Sequence, residues 1–477
     1  MIGESTTPRK PEMSPVVRQW VNTIVPQIVG HVMDHLPAAV RETLTSLEAI
    51  ESGIQCLTRC IGQQVTETWM TEQPRVPLGT CRECGTPLRA VGNRERLILG
   101  VFGDYRVDRV YGVCPQGHGS DVPQDRVWGL GPGQTSPLLS RMLTRLAIEM
   151  PFDQVPEVVE EMLGRTMDGE RVRRTAEAIG TWAEAQEQQT MDALMTGDVA
   201  VPVVPGPSTL VIARDGAMVH TDQDGEVGWH EGKVGVCARF EPVVDPRLRD
   251  ANDRPTRFGL VPSDFCIGFE SREAFLPRLY THAVGMGLED PSCTHVVLIG
   301  DGAHWIWEHG AEHLHPPGKM VTEILDFYHA SEHVWTVAHA VWPANPTAAQ
   351  SWADTTLHAL RHEGAAGLAG AWEELPPLTP IASAAVAKEQ AYFTYHAGRI
   401  EYPRYEALGL PIGSGMVESA CKTVLKERES GSGMRWLETG AQAIATLRAW
   451  HRSQRWDNLW AQHPCAQLVP VRRRIAA

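Results

Sequence analysis

The chain has no apolar run approaching the roughly 20 residues that a bilayer-spanning helix needs, so no membrane partner is expected. Its opening, "MIGESTTPRKPEMSP", lacks the apolar core of an export signal, and a cytoplasmic protein is expected. Positive charge is in deficit: 43 Lys and Arg stand against 58 Asp and Glu, a net charge of −15. That excludes a protein coating nucleic acid indiscriminately, but it permits local basic faces and acidic sites that take divalent cations. There is no internal repeat and no long low-complexity tract, which excludes solenoids and arrays. The ten cysteines are irregularly spread, and in a chain without an export signal they favour metal binding over a disulfide framework.

What is present is a globular composition, 43% hydrophobic and 21% charged, in 477 residues. That length predicts about two to four domains. Residues 16–73 carry apolar side chains at helical spacing and predict two or three amphipathic helices. Residues 78–130 change to glycines, short β-rich runs and paired cysteines, and 136–195 return to helix. "TGDVAVPVVPGPST" (196–209) is the best linker. Strand-like runs follow in "TLVIARDG", "KVGVCARF" and "THVVLIGDG", with a proline- and arginine-rich loop, "EPVVDPRLRDANDRPTR", between the last two. "MVTEILDFYHASEHVWTVAHAVW" turns from strand to helix, residues 345–400 are helical, and a glycine-rich lead-in opens the helix of "GSGMVESACK".

Cys81-x-x-Cys84 is followed, after 29 residues, by Cys114-x-x-x-His118, each pair beside glycine. Two such knuckles joined by β-rich sequence predict a zinc ribbon with structural Zn2+, in which four ligands close a tetrahedral site and replace a core the module lacks. His118 is the weakest member, since the second knuckle has three spacers and a histidine. Cys56 and Cys60, one turn apart on a helix, are explained by packing.

Asp301 follows a β-branched run without polar alternation, flanked by Gly300 and Gly302, which predicts a buried strand ending at a functional rim. Asp215 ends "TLVIARDG" in the same way, and Glu418 falls in the opening part of its helix. Three hard oxygen donors suit two Mg2+ or Mn2+ ions about 3.5–4 Å apart, which activate a nucleophile and stabilise a leaving oxygen. Any single Asp-Gly is more simply a solvated turn.

The surroundings of these acids carry a resemblance. "RDGAMVHT…WHEGKVGV", "VVLIGDGAHWIWE", "ILDFYHASEHVW" and "GSGMVESACKTVLKERESGSGMRW", in this order, closely resemble bacterial insertion-sequence transposases of the ISKra type, within the broad Mutator-like set. The resemblance is strong over about 208–455, and the cysteine-bearing segment matches in kind. It implies an RNase H-like catalytic core in which Asp215, Asp301 and Glu418 are the Asp-Asp-Glu metal ligands. It also implies that Asp326 and His329, in an Asp-x-x-His pattern, lie near the site and orient it, a satisfied core histidine being the alternative for His329. The 116 residues between Asp301 and Glu418 leave room for an all-helical insertion.

The expected organisation is a multidomain α+β chain. It comprises N-terminal helices (1–77), a zinc ribbon (78–130), a helical region with helix–turn–helix rhythm (131–196), the first part of the core (197–330), the insertion (331–408), and the second part of the core with C-terminal helices (409–477). Lys422 and Lys426 step by four from Glu418 and share its helix face, with Arg428 and Arg435 beyond. Lys233, in "WHEGK", either meets phosphate or makes a sheet-edge salt bridge. Arg171, Arg173 and Arg174 follow Gly164 on the second helix of the helix–turn–helix pattern, where recognition of DNA ends and plain helical packing are equal readings. Trp305 and Trp307 read as core packing, and the histidines 304, 309, 313 and 315 as a solvated loop.

The resemblance implies cleavage at transposon ends and strand transfer into target DNA by in-line phosphoryl displacement. Terminal inverted repeats and target DNA are the partners, and a homodimer or higher oligomer synapses the two ends. The resemblance also implies a chain that is nucleoid-associated when bound to DNA. The alternatives are a metal-dependent nuclease without strand transfer, and an inactive or domesticated transposase kept as a zinc-containing DNA-binding or regulatory protein.

Overall fold

Val296, Val297, Leu298 and Ile299 are all buried on a single strand, which requires a sheet covered on both faces. A computed structural model, which describes residues 15–131, 133–200, 204–242, 258–308 and 311–463, supplies that sheet within a mixed α and β architecture. The chain divides into two compact units, Met1–Thr175 with Trp460–Ala477, and Ala176–Leu459. The division falls inside a helix and not at the 196–209 linker. No helix among the described residues is long and apolar enough to cross a membrane.

The first unit opens with helices α1 (Pro15–His35), α2 (Ala38–Thr43) and α3 (Leu47–Glu72). Cys56 and Cys60 of α3 are exposed, which corrects the packing reading; the apolar spacing there does not correspond to a covered face. Strands β1 (Arg89–Leu99), β2 (Asp104–Val113) and β3 (Ser120–Asp121) form a small antiparallel sheet. Ile98, Tyr105 and Val107 pack with Met70 and Leu130 as its core. Beside it is α4 (Pro123–Val127), whose buried Asp125 pairs with Arg96 at 2.7 Å and Arg109 at 2.6 Å. Helices α5 (Pro137–Ala147) and α6 (Val155–Leu163) follow, then α7 (Gly169–Thr196). Gly164 caps α6 in the left-handed conformation, as a turn between two helices requires.

The second unit is built on β4 (Thr209–Gln223), β5 (Glu226–Pro242), β6 (Phe258–Gly268), β7 (His295–Gly300) and β8 (Met320–Leu325). Strands β4, β5 and β6 are antiparallel neighbours, β7 and β8 add in parallel, and the order is β6-β5-β4-β7-β8. Asp224 and Gly225, both at positive φ, make the tight β4–β5 turn that a long twisted hairpin needs. Sequence reading missed β6 because Gly259 and Pro262 break its pattern. It is an edge strand, where proline is tolerated, and its ladder slips between Ala238 and Phe240 of β5. The loop reading for residues 243–257 lies outside the described residues.

Alternation along the strands feeds two cores. Leu210, Ile212, Val296 and Leu298 face α8 (Arg272–Gly285), through Phe275 and Leu279. Between β7 and β8 lie α9 (His304–Glu308) and α10 (Ala311–Leu314). On the other face, Val211, Ala213, Val297 and Ile299 belong to the larger core. That core takes in a run of helices, α11 (Phe327–Val341), α12 (Pro346–Glu373), α13 (Pro380–Tyr395) and α14 (Tyr402–Ala407). Tyr402 and Tyr405 donate to the backbone oxygens of Leu325 and Glu323, tying these helices to β8. Beyond it, α15 (Gly415–Ala420), a π-helical turn (Cys421–Lys426) and α16 (Glu427–Glu429) run on without a break. Then β9 (Trp436–Leu437) returns to the far end of β4, α17 (Glu438–Arg452) is buried over most of its length, and α18 (Trp456–Gln462) ends the described helices.

His396, 1% exposed, is enclosed by Trp307, Tyr392 and Tyr395. Burial, and then the Arg399 charge, lower its pKa from 6.5 to about 4. The unfolded chain therefore takes up this proton first as pH falls. Stability contributed by the neutral ring is full above pH 6.5 and lost progressively down to about 4. Denaturant titrations across this window should show a loss of up to about 3 kcal/mol in the parent. The loss should be smaller in His396→Phe.

Candidate acid rim and Cys3His centre

The register of β4 on β7 sets the first two acids side by side. Ala213 is level with Ile299 and Arg214 with Gly300 in a parallel pair, so Asp215 and Asp301 come next on neighbouring chains. Both lie two residues beyond members of the larger core and so project to that face. The strands are not equivalent, however. β7 stops at Gly300, whereas β4 runs on to Gln223, so Asp215 sits in mid-strand opposite Val234 and does not end its strand as expected. The β4–β5 hairpin is simply longer than the parallel strand beside it.

The helix bearing Glu418 covers this face through Val417, Ala420, Cys421 and Val424. Cys421 donates its Sγ–H to Asp215 Oδ2 at 3.4 Å. The Asp215 carboxyl is held above its ordinary range by burial first, and by the charges of Asp301 and Glu418, against the hydrogen bonds from Gly216 N and Cys421. The three acids are thus electrostatic neighbours. Among the described residues, only the Cys3His set has three or more ligand atoms all within 4.8 Å, so the acids are spaced more widely than the ligands of one closed site.

The π turn bears on the expectation that Glu418, Lys422 and Lys426 share a face. A step of four overshoots one α-helical turn and falls short of one π-helical turn, so the two drifts cancel across this segment. Burial follows a period of four (420 and 421, 424 and 425, 428 and 429), and Glu418, Lys422 and Lys426 are all exposed. Arg435 is exposed as well. Arg428 is a correction: it is 2% exposed, its guanidinium lies over Trp436 at 4.9 Å, and it presents no charge to a surface ligand. Lys233 is a second correction. It is buried, and its Nζ donates to the Glu270 carbonyl at 2.9 Å with Glu231 at 3.6 Å, so the ion-pair alternative is the observed one. Arg173 and Arg174 both bind Glu170, and Arg171 binds Gln134 and lies near Asp168.

Asp326 is fully buried. Its Oδ1 accepts from His329 N at 2.8 Å, capping α11, and its Oδ2 accepts from Ser414 N. Ser414 in turn donates to Glu418 Oε1 at 3.3 Å, so Asp326 steadies the lead-in to the Glu418 helix. Trp307 is buried and donates Nε1–H to the Asp301 carbonyl, while Trp305 packs on Phe275. His304, His313 and His315 find separate partners in Glu308, Tyr280 and Glu323, and His309 lies outside the described residues. Sequence reading missed His333, Glu389, Tyr392 and Cys421. The i, i+4 spacing of His329 and His333 was a usable signal for the first. Glu389 and Tyr392 sit on α13 and had none.

In the first unit, the ligand atoms of Cys81, Cys84, Cys114 and His118 lie within 4.8 Å of one another. Sγ of Cys84 and Cys114 are 3.6 Å apart, and His118 Nδ1 is 3.9 and 3.8 Å from Sγ of Cys81 and Cys114. A tetrahedral ion with 2.3 Å bonds to sulfur needs ligand separations of roughly 3.8 Å, so the set could hold zinc. Gly85 and Gly117, at positive φ, close the two turns, with Gly85 N donating to Cys81 O and Gly117 N to Cys114 O.

Cys84→Ser should lower the zinc content of the purified chain by about one ion, read by elemental analysis, and should expose the small sheet to proteolysis. At the acid rim, a methyl on Gly302 would stand 2.2 Å from the Tyr392 hydroxyl, a rigid neighbour. Gly302→Ala should therefore displace the Asp301 turn and cost about 1–3 kcal/mol of stability in denaturant melts. Comparison with known protein families and with curated proteins finds no family model and no relative that matches this chain.

Proposed function

We propose that the chain is a metal-dependent DNA transposase whose phosphoryl-transfer site is Asp215, Asp301 and Glu418. The observation that carries the reading is the in-register β4–β7 pair with the Glu418 helix packed over the face to which both aspartates project. The sheet order of three antiparallel strands followed by two parallel ones is that expected of an RNase H-like core. The helical insertion falls between the second aspartate and the glutamate, as the motif resemblance implies. The small sheet with its Cys3His set fits the zinc-ribbon reading.

The acids fit hard divalent cations by donor type; burial, and then repulsion from Asp301 and Glu418, raise Asp215, and positive charge would relieve the repulsive part. Mg2+ or Mn2+ held there would polarise the scissile phosphate and its attacking and leaving oxygens. Asp326 and Ser414 hold Glu418 in place, and Cys421 orients the Asp215 carboxylate. The exposed Lys422, Lys426 and Arg435 are available to DNA phosphates. Arg171, Arg173 and Arg174 form a second basic group. Exposed ion pairs such as those of Arg173 and Arg174 with Glu170 are weak and can exchange for phosphate. Two DNA ends must be synapsed, so a homodimer or larger assembly acts.

Purified chain, Mg2+ and DNA carrying the element's ends should yield cleaved and joined products. Asp301→Asn should reduce both by about a thousandfold, the several kcal/mol of charge stabilisation that a bound ion provides. Cleavage without joining would identify a nuclease. Full activity in Asp301→Asn would reject the site.

A further inference from the structure

Beside the acid rim, on the helical insertion, two imidazoles face each other. His329 and His333 are one turn apart on α11, and their Nε2 atoms are 3.3 Å apart. The His333 ring is held from its other nitrogen, and the His329 ring has an exposed carboxylate beside its own. His333 Nδ1–H donates to Glu389, a carboxylate 3% exposed on α13, and His329 Nδ1 lies 3.5 Å from Glu332. Tyr392 stacks on the His333 ring with centroids 3.7 Å apart, so that ring cannot turn away. Both Nε2 atoms are left pointing at one spot, while the rings remain partly open to solvent, at 32% and 23% side-chain exposure.

We propose that this pair is a divalent-metal site, distinct from the acid rim and from the Cys3His set, that takes a borderline ion such as Zn2+ or Co2+. The distance carries the argument. Two imidazole nitrogens bound at 2.0–2.1 Å to a tetrahedral ion stand roughly 3.3–3.4 Å apart, which matches the pair. Histidines at i and i+4 on one helix face are a recurrent chelating arrangement, and imidazole selects Zn2+ and its neighbours over Mg2+. A carboxylate on the far nitrogen is the outer-shell partner that fixes tautomer and ring orientation in such sites. Glu389 has that place although it is 56 residues away in sequence, on another helix. In the ion-free protein the two nitrogens share one proton in a hydrogen bond, and a divalent ion taken up between them would displace that proton.

The site has a defined outlook. Two protein ligands leave positions for water or a substrate oxygen. The hydroxyl of Tyr392, which has no hydrogen-bond partner among the described residues, abuts Gly302, the residue after Asp301. An ion at the pair would therefore lie one tyrosine ring from the acid rim. The inference rests on the histidine geometry and does not need the DNA reading.

The test is Co2+ titration of the full chain whose Cys3His set has first been filled with zinc, followed by visible absorption. Binding at the pair should give weak d–d bands of one equivalent, without the intense sulfur-to-cobalt charge-transfer bands of a thiolate site. His329→Ala and His333→Ala should each abolish those bands while leaving the far-ultraviolet circular dichroism unchanged. Glu389→Gln should weaken cobalt binding by about tenfold or more. Asp301→Asn should leave the bands in place, which separates this site from the acid rim. No cobalt bands in the parent, or bands lost in Asp301→Asn but kept in both histidine variants, would overturn the proposal. Should His333→Ala misfold, His329→Ala, at the more exposed of the two rings, decides alone.

Discussion

The parallel pairing of β4 with β7 is the constraint on which the rest of the second unit depends. Because Arg214 is level with Gly300, the next residue on each strand is an aspartate, and both face the larger core. A slip of one residue on either strand would send one carboxylate to the opposite face. That register is secured by burial on both sides: Val211, Ala213, Val297 and Ile299 on one face, and Leu210, Ile212, Val296 and Leu298 on the other, are all 0–1% exposed. Moving any of these valine, leucine or isoleucine side chains into solvent would cost about 1.5–3 kcal/mol. The acids are thus held by apolar packing that makes no contact with their own chemistry.

Like charges gathered in this way are unfavourable, and the fold offsets the cost only in part. Gly216 N and Cys421 hydrogen-bond Asp215, Ala303 N binds Asp301, and Ser414 binds Glu418. Burial and mutual repulsion still leave Asp215 less acidic than usual. A cation of the kind proposed for the rim would relieve this repulsion. The π turn belongs to the same construction. It lets one continuous helix bury Cys421 and Val424 against β4 while keeping Glu418, Lys422 and Lys426 on an exposed strip. An uninterrupted α-helix would rotate that strip by about 40° for each step of four.

The first unit follows a different logic. Its small sheet buries few large side chains, chiefly Ile98, Tyr105 and Val107. It relies on local polar organisation: Asp125 bridging Arg96 and Arg109, and two glycine-closed turns converging four side chains that could hold a metal ion. A module with so little apolar area is where a coordinated ion adds most to stability.

Much of this was legible in the sequence wherever the signal was local. The β-branched run before Asp301, the glycines beside the cysteine pairs, Gly164 between two helices and the strand-to-helix passage at Asp326 each depend on residues within a few positions of one another. Such signals survive without knowledge of the fold because backbone preference and burial periodicity are short-range properties. What failed was of two kinds. Arg428 and Lys233 read as surface cations, but only packing against Trp436 in one case and capture by Glu270 in the other reveals that they are internal. The strand β6 was hidden because its pattern is broken by residues that only an edge position tolerates. Tertiary structure alone decided that Asp215 lies in mid-strand and that Cys421 touches it. It also decided that Glu389, from a distant helix, fixes His333. Those are contacts between segments far apart in the chain, set by strand register and helix packing, and no local pattern encodes them.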